Sequence, residues 1–267
     1  MSSTWLTQVE VVNPPTFDEP RDGPPRIWWR NGSKQGRTPG FFYTKASDHP
    51  DALPDPWQAS HRYDDEDGYE APALTLALIG YRTEPFVSIE ENGQKRMRFL
   101  TEYTPGASIY TEWLITVDDL PYPCVLCAKG LTGKALADAL RQHKASVHKL
   151  GEKQAKRALP LWSFWMQLEG EKDAKGRVVF TPTGHGSDVT RPVLTLPTYD
   201  EADLLEHLFV GADVLAAGID VRHEYADWLK EKRAVKGQET ANGHAQPGYD
   251  HAPDDGADPT EETEVPW

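Results

Sequence analysis

The sequence has only two cysteines among 267 residues, Cys124 and Cys127, and no apolar run of membrane-spanning length. A spanning helix needs about 20 apolar residues, and two cysteines three positions apart cannot form the disulfide framework of a secreted domain. The N-terminus also lacks the basic and then apolar stretch of a secretory signal. These absences predict a cytoplasmic protein with no membrane partner.

The sequence also lacks an excess of positive charge. It contains 28 Lys and Arg and 42 Asp and Glu, which gives a net charge of −14. Such a balance argues against nucleic-acid binding only if the charge is evenly spread. Residues 236–267 hold one Lys and eight acids, so this segment carries −7 of the total. Residues 26–45 hold five bases and no acid. The distribution therefore leaves room for a basic binding surface.

Composition divides the chain into three parts. Residues 1–25 are rich in proline and acids, which predicts an extended N-terminal arm. Residues 26–233 are expected to form a single β-rich nucleic-acid-binding domain, with a zinc-bound insertion at 120–150 if metal is present. Residues 234–267 contain too few apolar side chains to offset chain entropy, so we expect a disordered acidic tail.

Hydrophobic periodicity and turn residues predict the elements of the domain. Strands are expected at 26–30, 41–45, 73–80, 112–117, 124–128 and 161–169, the last paired with 178–180; a hairpin at 86–100 turns at Asn92-Gly93. Residues 46–72 read as a long surface loop. Helices are expected at 134–150, after a capping box at Thr198 and Glu201, and through 221–233. The sum is an α+β fold, and short twisted strands with long loops also suit an OB-like barrel with an inserted helix.

The acid-free stretch combines cations with flat aromatic side chains. Single-strand binding requires cations for phosphates and rings on which unstacked bases lie. Neighbouring strand residues point to opposite faces, so one of Trp28 and Trp29 should enter the core while the other stays outward. An amphipathic hairpin with solvated bases is the alternative. The candidates are Arg26, Trp28, Trp29, Arg30, Lys34, Arg37, Phe41, Phe42 and Tyr43.

Two further basic runs are candidate phosphate contacts. One is the hairpin arm with Lys95, Arg96 and Arg98. The other includes Lys144, Lys149, Lys153, Lys156 and Arg157, of which positions 149, 153 and 156 would share one helix face. A solvated helix face is the alternative interpretation of the second run.

The two cysteines and two histidines have the spacing of a metal site. Cys124, Cys127, His143 and His148 form a Cys-x2-Cys-x15-His-x4-His pattern that resembles the Cys2His2 zinc finger. The middle spacer is longer than the usual twelve residues, and no aromatic residue occupies the intervening core position. Four protein ligands would make the zinc structural. The alternative is that the cysteines lie in a buried strand and the histidines on an exposed helix.

The chain ends in acids followed by an apolar tip, Glu264-Val265-Pro266-Trp267. This ending resembles the C-terminal tail of bacterial and phage single-stranded-DNA-binding proteins, with Trp267 where that family usually has Phe. The resemblance covers about the last seven residues and implies that the tip recruits replication or recombination proteins. A merely solubilising tail is the alternative.

The motifs for catalysis are weak. Gly130 to Ala135 lacks the spacing and the Ser or Thr of a phosphate loop, and the acids at 118–119 and 64–67 come without a strand-borne Glu-x-Lys partner. We therefore expect a non-enzymatic, sequence-tolerant single-stranded-DNA-binding protein of phage or mobile-element type that acts in replication or recombination. A zinc-containing adaptor and a metal-dependent nuclease are the alternatives. The sequence leaves the oligomeric state open.

Overall fold

The computed structural model of the chain describes residues 23–231, except 37, 64–65, 92–93, 157, 183–187, 196–199 and 201. The predicted arm up to residue 22, Arg37, the capping pair Thr198 and Glu201, and the tail with Glu264, Val265, Pro266 and Trp267 lie outside the described residues.

The described residues form strands and helices in the following order. The strands are β1 (Arg26–Arg30), β2 (Phe41–Lys45), β3 (Gln58–Tyr63), β4 (Glu66–Ala71), β5 (Ala73–Glu91), β6 (Gln94–Phe99), β7 (Ser108–Val117), β8 (Cys124–Lys129), β9 (Met166–Gly170), β10 (Thr181–Pro182), β11 (Asp188–Val189) and β12 (Pro192–Leu194). The α-helices are α1 (Gly130–Leu150), α2 (Ala212–Glu224) and α3 (Ala226–Lys230). None of these helices is long and apolar enough to cross a membrane.

One large mixed sheet organises the fold. Its strand order is β12-β9-β5-β7-β8-β1-β2-β4-β3, with β6 paired to β5. Strand β1 runs parallel to β8 and antiparallel to β2. In the described part of the chain the hydrogen-bonded path ends at β12 and β3, so the strands do not close into a barrel. The α+β class and the strand-rich body are confirmed.

The sheet curls until the β1–β2 connection meets the residues before β12. The indole Nε1 of Trp29 donates to the carbonyl oxygen of Thr190 at 2.9 Å, and the amide of Gly32 donates to Thr190 Oγ1 at 3.0 Å. A Cβ on Gly40 would lie 2.2 Å from Cζ2 of Trp29, so this approach requires glycine. The curl encloses the main core.

The two faces of the sheet are covered differently. We call the face that carries Ile27 and Trp29 the inner face; α1 packs on it through Leu136 and Leu140. We call the face that carries Trp28 the outer face; α2 and α3 pack on it, with Val221 buried. Because side chains alternate along a strand, each strand supplies residues to both faces. The sequence of one strand therefore serves the core and a second surface at once.

Several predicted elements are confirmed. The strands at 26–30 and 41–45 have the expected bounds, and the helix expected at 134–150 begins four residues earlier at Gly130. The β5–β6 pairing runs from Phe86 opposite Phe99 to Glu91 opposite Gln94, which leaves the two residues expected for the hairpin loop.

Other predictions are wrong in identifiable ways. The segment 46–72, expected to be a loop, contains strands β3 and β4. Their residues are mostly polar, which is why they were not predicted; β3 pairs with β4, and β4 pairs with β2. The strand at 73–80 continues as β5 to Glu91, past a register shift between Leu78 and Gly80. Strand β9 pairs with β5 and β12 instead of 178–180, where a single bridge joins Lys172 and Val178. The pairing of β4 with β2 and of β9 with β5 and β12 joins strands that are not neighbours in sequence, so local patterns do not specify it.

Candidate functional site

Strands β1 and β2 place alternating cations and rings on the outer face. Trp28 lies opposite Tyr43, and Arg30 lies opposite Phe41. Residues at directly opposed positions share a face, as do residues two apart on one strand. We define the outer patch as the six residues that meet these conditions. They are Arg26, Trp28, Arg30, Phe41, Tyr43 and Lys45.

The rings of the outer patch differ in access. Trp28 and Phe41 are half-buried, and so are Arg26 and Lys45. Tyr43 is only 1% exposed, because its ring lies over Gly68 of β4, where a Cβ would come within 2.3 Å of the ring. The guanidinium of Arg30 lies 5.0 Å from the centre of the same ring. Trp28 and Phe41 are therefore the rings on which a base can stack, while Arg30 and Tyr43 form the packed margin beside them.

Trp29 and Phe42 face the opposite way and leave the set of stacking candidates. Their rings meet edge to face at 4.9 Å in the core, and both side chains are buried. The reason is the strand alternation that places Trp28 outward. The sequence expectation that one tryptophan of the pair enters the core agrees with this arrangement.

A buried carboxylate organises the cations beside the outer patch. Glu112 of β7 is 1% exposed, and its Oε2 accepts a hydrogen bond from Arg82 Nε at 2.6 Å. Its Oε1 lies 3.9 Å from Nη2 of Arg26. Glu112 therefore fixes two guanidinium groups and neutralises part of their charge, so a phosphate must compete with it for Arg26.

Sequence analysis missed Arg82, Glu112 and Lys45 as neighbours of the site. Arg82 and Glu112 are directly opposed on β5 and β7, a relation that appears only once the register is known. Lys45 continues the alternation of Phe41 and Tyr43 along β2, and that periodicity was a usable signal.

The other predicted phosphate contacts are scattered. Lys34 lies in the β1–β2 connection, with its side chain 64% exposed and its Nζ 2.7 Å from Asp188 Oδ2. Arg98 is exposed on β6. The backbone of Lys95 is paired with Glu90 and that of Arg96 with Ile89. None of these cations belongs to the outer patch: Lys34 pairs with Asp188, and Arg98 lies on β6, which pairs with β5 and not with β1 or β2.

The lysines of α1 lie on the other side of the sheet. Lys144, Lys149, Lys153 and Lys156 are exposed on α1 and the turn after it, and the apolar side of α1 packs on the inner face. A strand of DNA on the outer patch would have to pass around an edge of the sheet to reach them. The structure does not unite the two basic regions in one groove.

The four expected zinc ligands are not brought together. On strand β8, Cys124 faces the inner core and Cys127 the outer one, because residues three apart on a strand point to opposite faces. Burial raises the pKa of the Cys124 thiol, which favours the neutral form. His143 is buried, with Nε2 3.3 Å from the Leu161 carbonyl oxygen, whereas His148 is exposed beside Glu152. The alternative interpretation of the cysteines therefore describes the structure.

Over the described residues no group of three or more His, Cys, Asp or Glu side chains is arranged to hold a metal ion. Comparison with known proteins adds no family to this geometry. No protein-family model, curated protein or solved structure matches the chain.

Proposed function

We propose that this protein binds single-stranded DNA with little sequence preference, as a non-enzymatic protein of phage or mobile-element type in replication or recombination. The outer patch carries the proposal: Trp28 and Phe41 offer ring faces for unstacked bases, and Arg26 and Lys45 offer cations beside them. Base stacking on aromatic residues tolerates any sequence and contributes about 1–3 kcal/mol per base. Arg30 and Tyr43 support the platform from its margin.

The connectivity of the sheet supports the OB-like part of the proposal. Strands β5, β7 and β8 pair in succession, α1 follows, and β9 returns to pair with β5 before β12 pairs with β9. An OB-fold is a partly open five-stranded barrel that binds oligonucleotides on one sheet face. In this proposal β1 and β2 extend that face beyond β8.

The acidic tail supplies the second half of the proposed function. Its eight acids and its Glu264-Val265-Pro266-Trp267 ending suit capture by a basic-rimmed apolar pocket on a replication or recombination protein. The same charge would compete with DNA for the basic groups of the domain. Deletion of 236–267 should abolish partner pull-down and tighten DNA binding at low salt, and unchanged behaviour in both assays would refute the role of the tail.

A fluorescence titration with oligo(dT) tests the DNA-binding proposal. Tryptophan emission should be quenched, and the apparent affinity should fall as salt rises because phosphate contacts release counterions. Trp28→Ala should weaken binding about tenfold. A matched control, Lys149→Gln with Lys153→Gln, removes charge from the α1 side and should change the affinity less than threefold.

Two other outcomes of the titration favour the rival functions. Absence of quenching at any salt concentration would favour an adaptor whose body ignores nucleic acid. Cleavage of the oligonucleotide in magnesium would favour a nuclease. The adaptor no longer draws support from zinc, since the strand geometry separates Cys124 from Cys127.

A further inference from the structure

The outer face has two parts, the β5 part under helices α2 and α3 and the part on β1 and β2. Helices α2 and α3 pack on β5, where Leu229 of α3 sits directly on Gly80. The outer patch lies on β1 and β2, farther along the same face. The two parts are joined by a cross-strand row in which Arg82, Glu112, Cys127 and Trp28 follow one another on β5, β7, β8 and β1. Three strand spacings, about 14 Å, separate Arg82 from Trp28, a span that a few nucleotides can bridge.

Helix α3 makes contacts with Arg82 that resemble those of a nucleotide. The guanidinium carbon lies 3.9 Å from the centre of the Trp228 ring. Its Nη1 donates to the carbonyl oxygens of Trp228 at 2.7 Å and Glu231 at 3.2 Å. Arginine binds unpaired nucleotides in the same way, by stacking its plane on a base and donating to phosphate oxygens. Trp228 occupies the place of the base and the two carbonyls the place of the phosphate oxygens.

Helix α3 is the short, partly exposed end of the helical segment that begins with α2. It has five residues, none of which is buried, and it is joined to α2 by the backbone hydrogen bonds from Tyr225 to Val221 and from Leu229 to Tyr225. Trp228 and Leu229 pack on the outer-face cluster, and Arg82 of the sheet donates to two carbonyl oxygens of this segment. Its displacement would leave the sheet pairing and the inner core intact.

We propose that Arg82 is a second nucleotide site, covered by α3 in the free protein and occupied by single-stranded DNA long enough to reach it from Trp28. This inference rests on the proposed function of the outer patch and extends it to β5.

A reversible cross-link tests whether α3 must move. A Cβ at position 80 would lie 3.6 Å from Cγ of Leu229, so Gly80→Cys with Leu229→Cys places two sulfur atoms within reach of a disulfide and removes the methyl groups that crowd Gly80. Affinity is measured for dT oligonucleotides of about 4 and about 16 nucleotides, the range of site sizes for one OB-fold. The oxidised variant should bind the short oligonucleotide like the wild type and the long one at least tenfold more weakly, and reduction should restore the long-strand affinity.

The outcomes of this experiment separate the two proposals. Equal affinity of the oxidised and reduced forms for the long oligonucleotide overturns the displacement of α3 while short-strand binding upholds the outer patch. Failure of the wild type to bind either length refutes the proposed function and the second site together.

Trp228→Ala supplies an independent test without a cross-link. Because the variant uncovers Arg82, it should bind the long oligonucleotide about threefold to tenfold more tightly and leave short-strand affinity unchanged. Trp162→Ala is the matched control, since Trp162 stacks with Arg222 instead of Arg82 on the same face. If both variants leave long-strand affinity unchanged or lower it equally, Trp228 is only a packing residue and the second site is rejected.

Discussion

The five residues of β1 alternate between the inner and the outer face of the sheet, and the two faces differ in chemistry. Ile27 and Trp29 enter a core lined by aliphatic and aromatic side chains, and Trp29 satisfies its indole N–H on Thr190. Arg26, Trp28 and Arg30 face a surface of rings and guanidinium groups. The comparison teaches that two adjacent tryptophans have different surroundings: Trp29 holds the curl of the sheet from the core, whereas Trp28 lies half-buried on the outer face, where we propose that it contacts DNA.

The largest expected effect separates these two tasks. Trp29→Ala should lower the free energy of unfolding by about 3–5 kcal/mol, because it leaves a cavity in the core and removes the bond to Thr190. Trp28→Ala should cost clearly less stability, since its side chain is half-buried. Urea unfolding of both variants measures the difference. Equal losses from the two substitutions would contradict the division between inner and outer face.

A second substitution measures how much the Glu112–Arg82 ion pair on the outer face contributes to the stability of the fold. Glu112→Ala leaves Arg82, whose side chain is 9% exposed, without its carboxylate, and should destabilise the fold by about 3 kcal/mol. Glu112→Gln keeps the shape and a hydrogen-bond acceptor and should cost less. The unfolding free energies of the two variants give the test. A fully stable Glu112→Ala protein would show that the outer face does not depend on this ion pair.

A third effect, similar in size to that of Glu112→Ala, concerns pH and the inner side, where α1 carries His143. Burial lowers the pKa of His143 to about 4, below the value near 6.5 expected in the unfolded chain. The unfolded state therefore binds the proton first as pH falls, so the stability that the neutral imidazole contributes is present above pH 6.5 and is lost between 6.5 and 4. That loss is on the order of 3 kcal/mol, at 1.36 kcal/mol per pKa unit.

His143→Leu is the control for this pH dependence. The difference in unfolding free energy between wild type and variant should change over this pH range, while other titrating groups cancel. A constant difference from pH 7 to pH 4 would show that His143 does not titrate with unfolding, and would remove the link between α1 and the acid stability of the inner side.

Local patterns were sufficient for several elements and failed where pairing is distant. The alternating residues of β1, β2 and β9 and the Asn92-Gly93 signal predict strands and a hairpin without any knowledge of the fold. The edge strand β3 and its neighbour β4 were not predicted because their polar residues show little apolar alternation. The partner of β9 was not predicted because it is distant in sequence.

The same limit applies to the candidate site. The stretch 26–45 was recognisable by its lack of acids and its rings, but Arg82 and Glu112 come from β5 and β7 and join it only through register. The zinc prediction shows the opposite case, in which residues with a suitable spacing in sequence do not meet in the fold. Cys124 and Cys127 have ligand spacing in sequence, but in an extended strand they lie about 10 Å apart and point to opposite faces.

The sequence by itself determined the acidic segment, the acid-free aromatic stretch, the α+β class and the strand alternation that separates Trp28 from Trp29, because these depend on composition and on neighbours in the chain. Only the tertiary structure decided which rings remain accessible, which carboxylate holds Arg26, and that α3 covers Arg82. Those properties depend on contacts between residues as far apart as Arg82 and Trp228, and such contacts follow from the register and curl of the sheet, which no local pattern specifies.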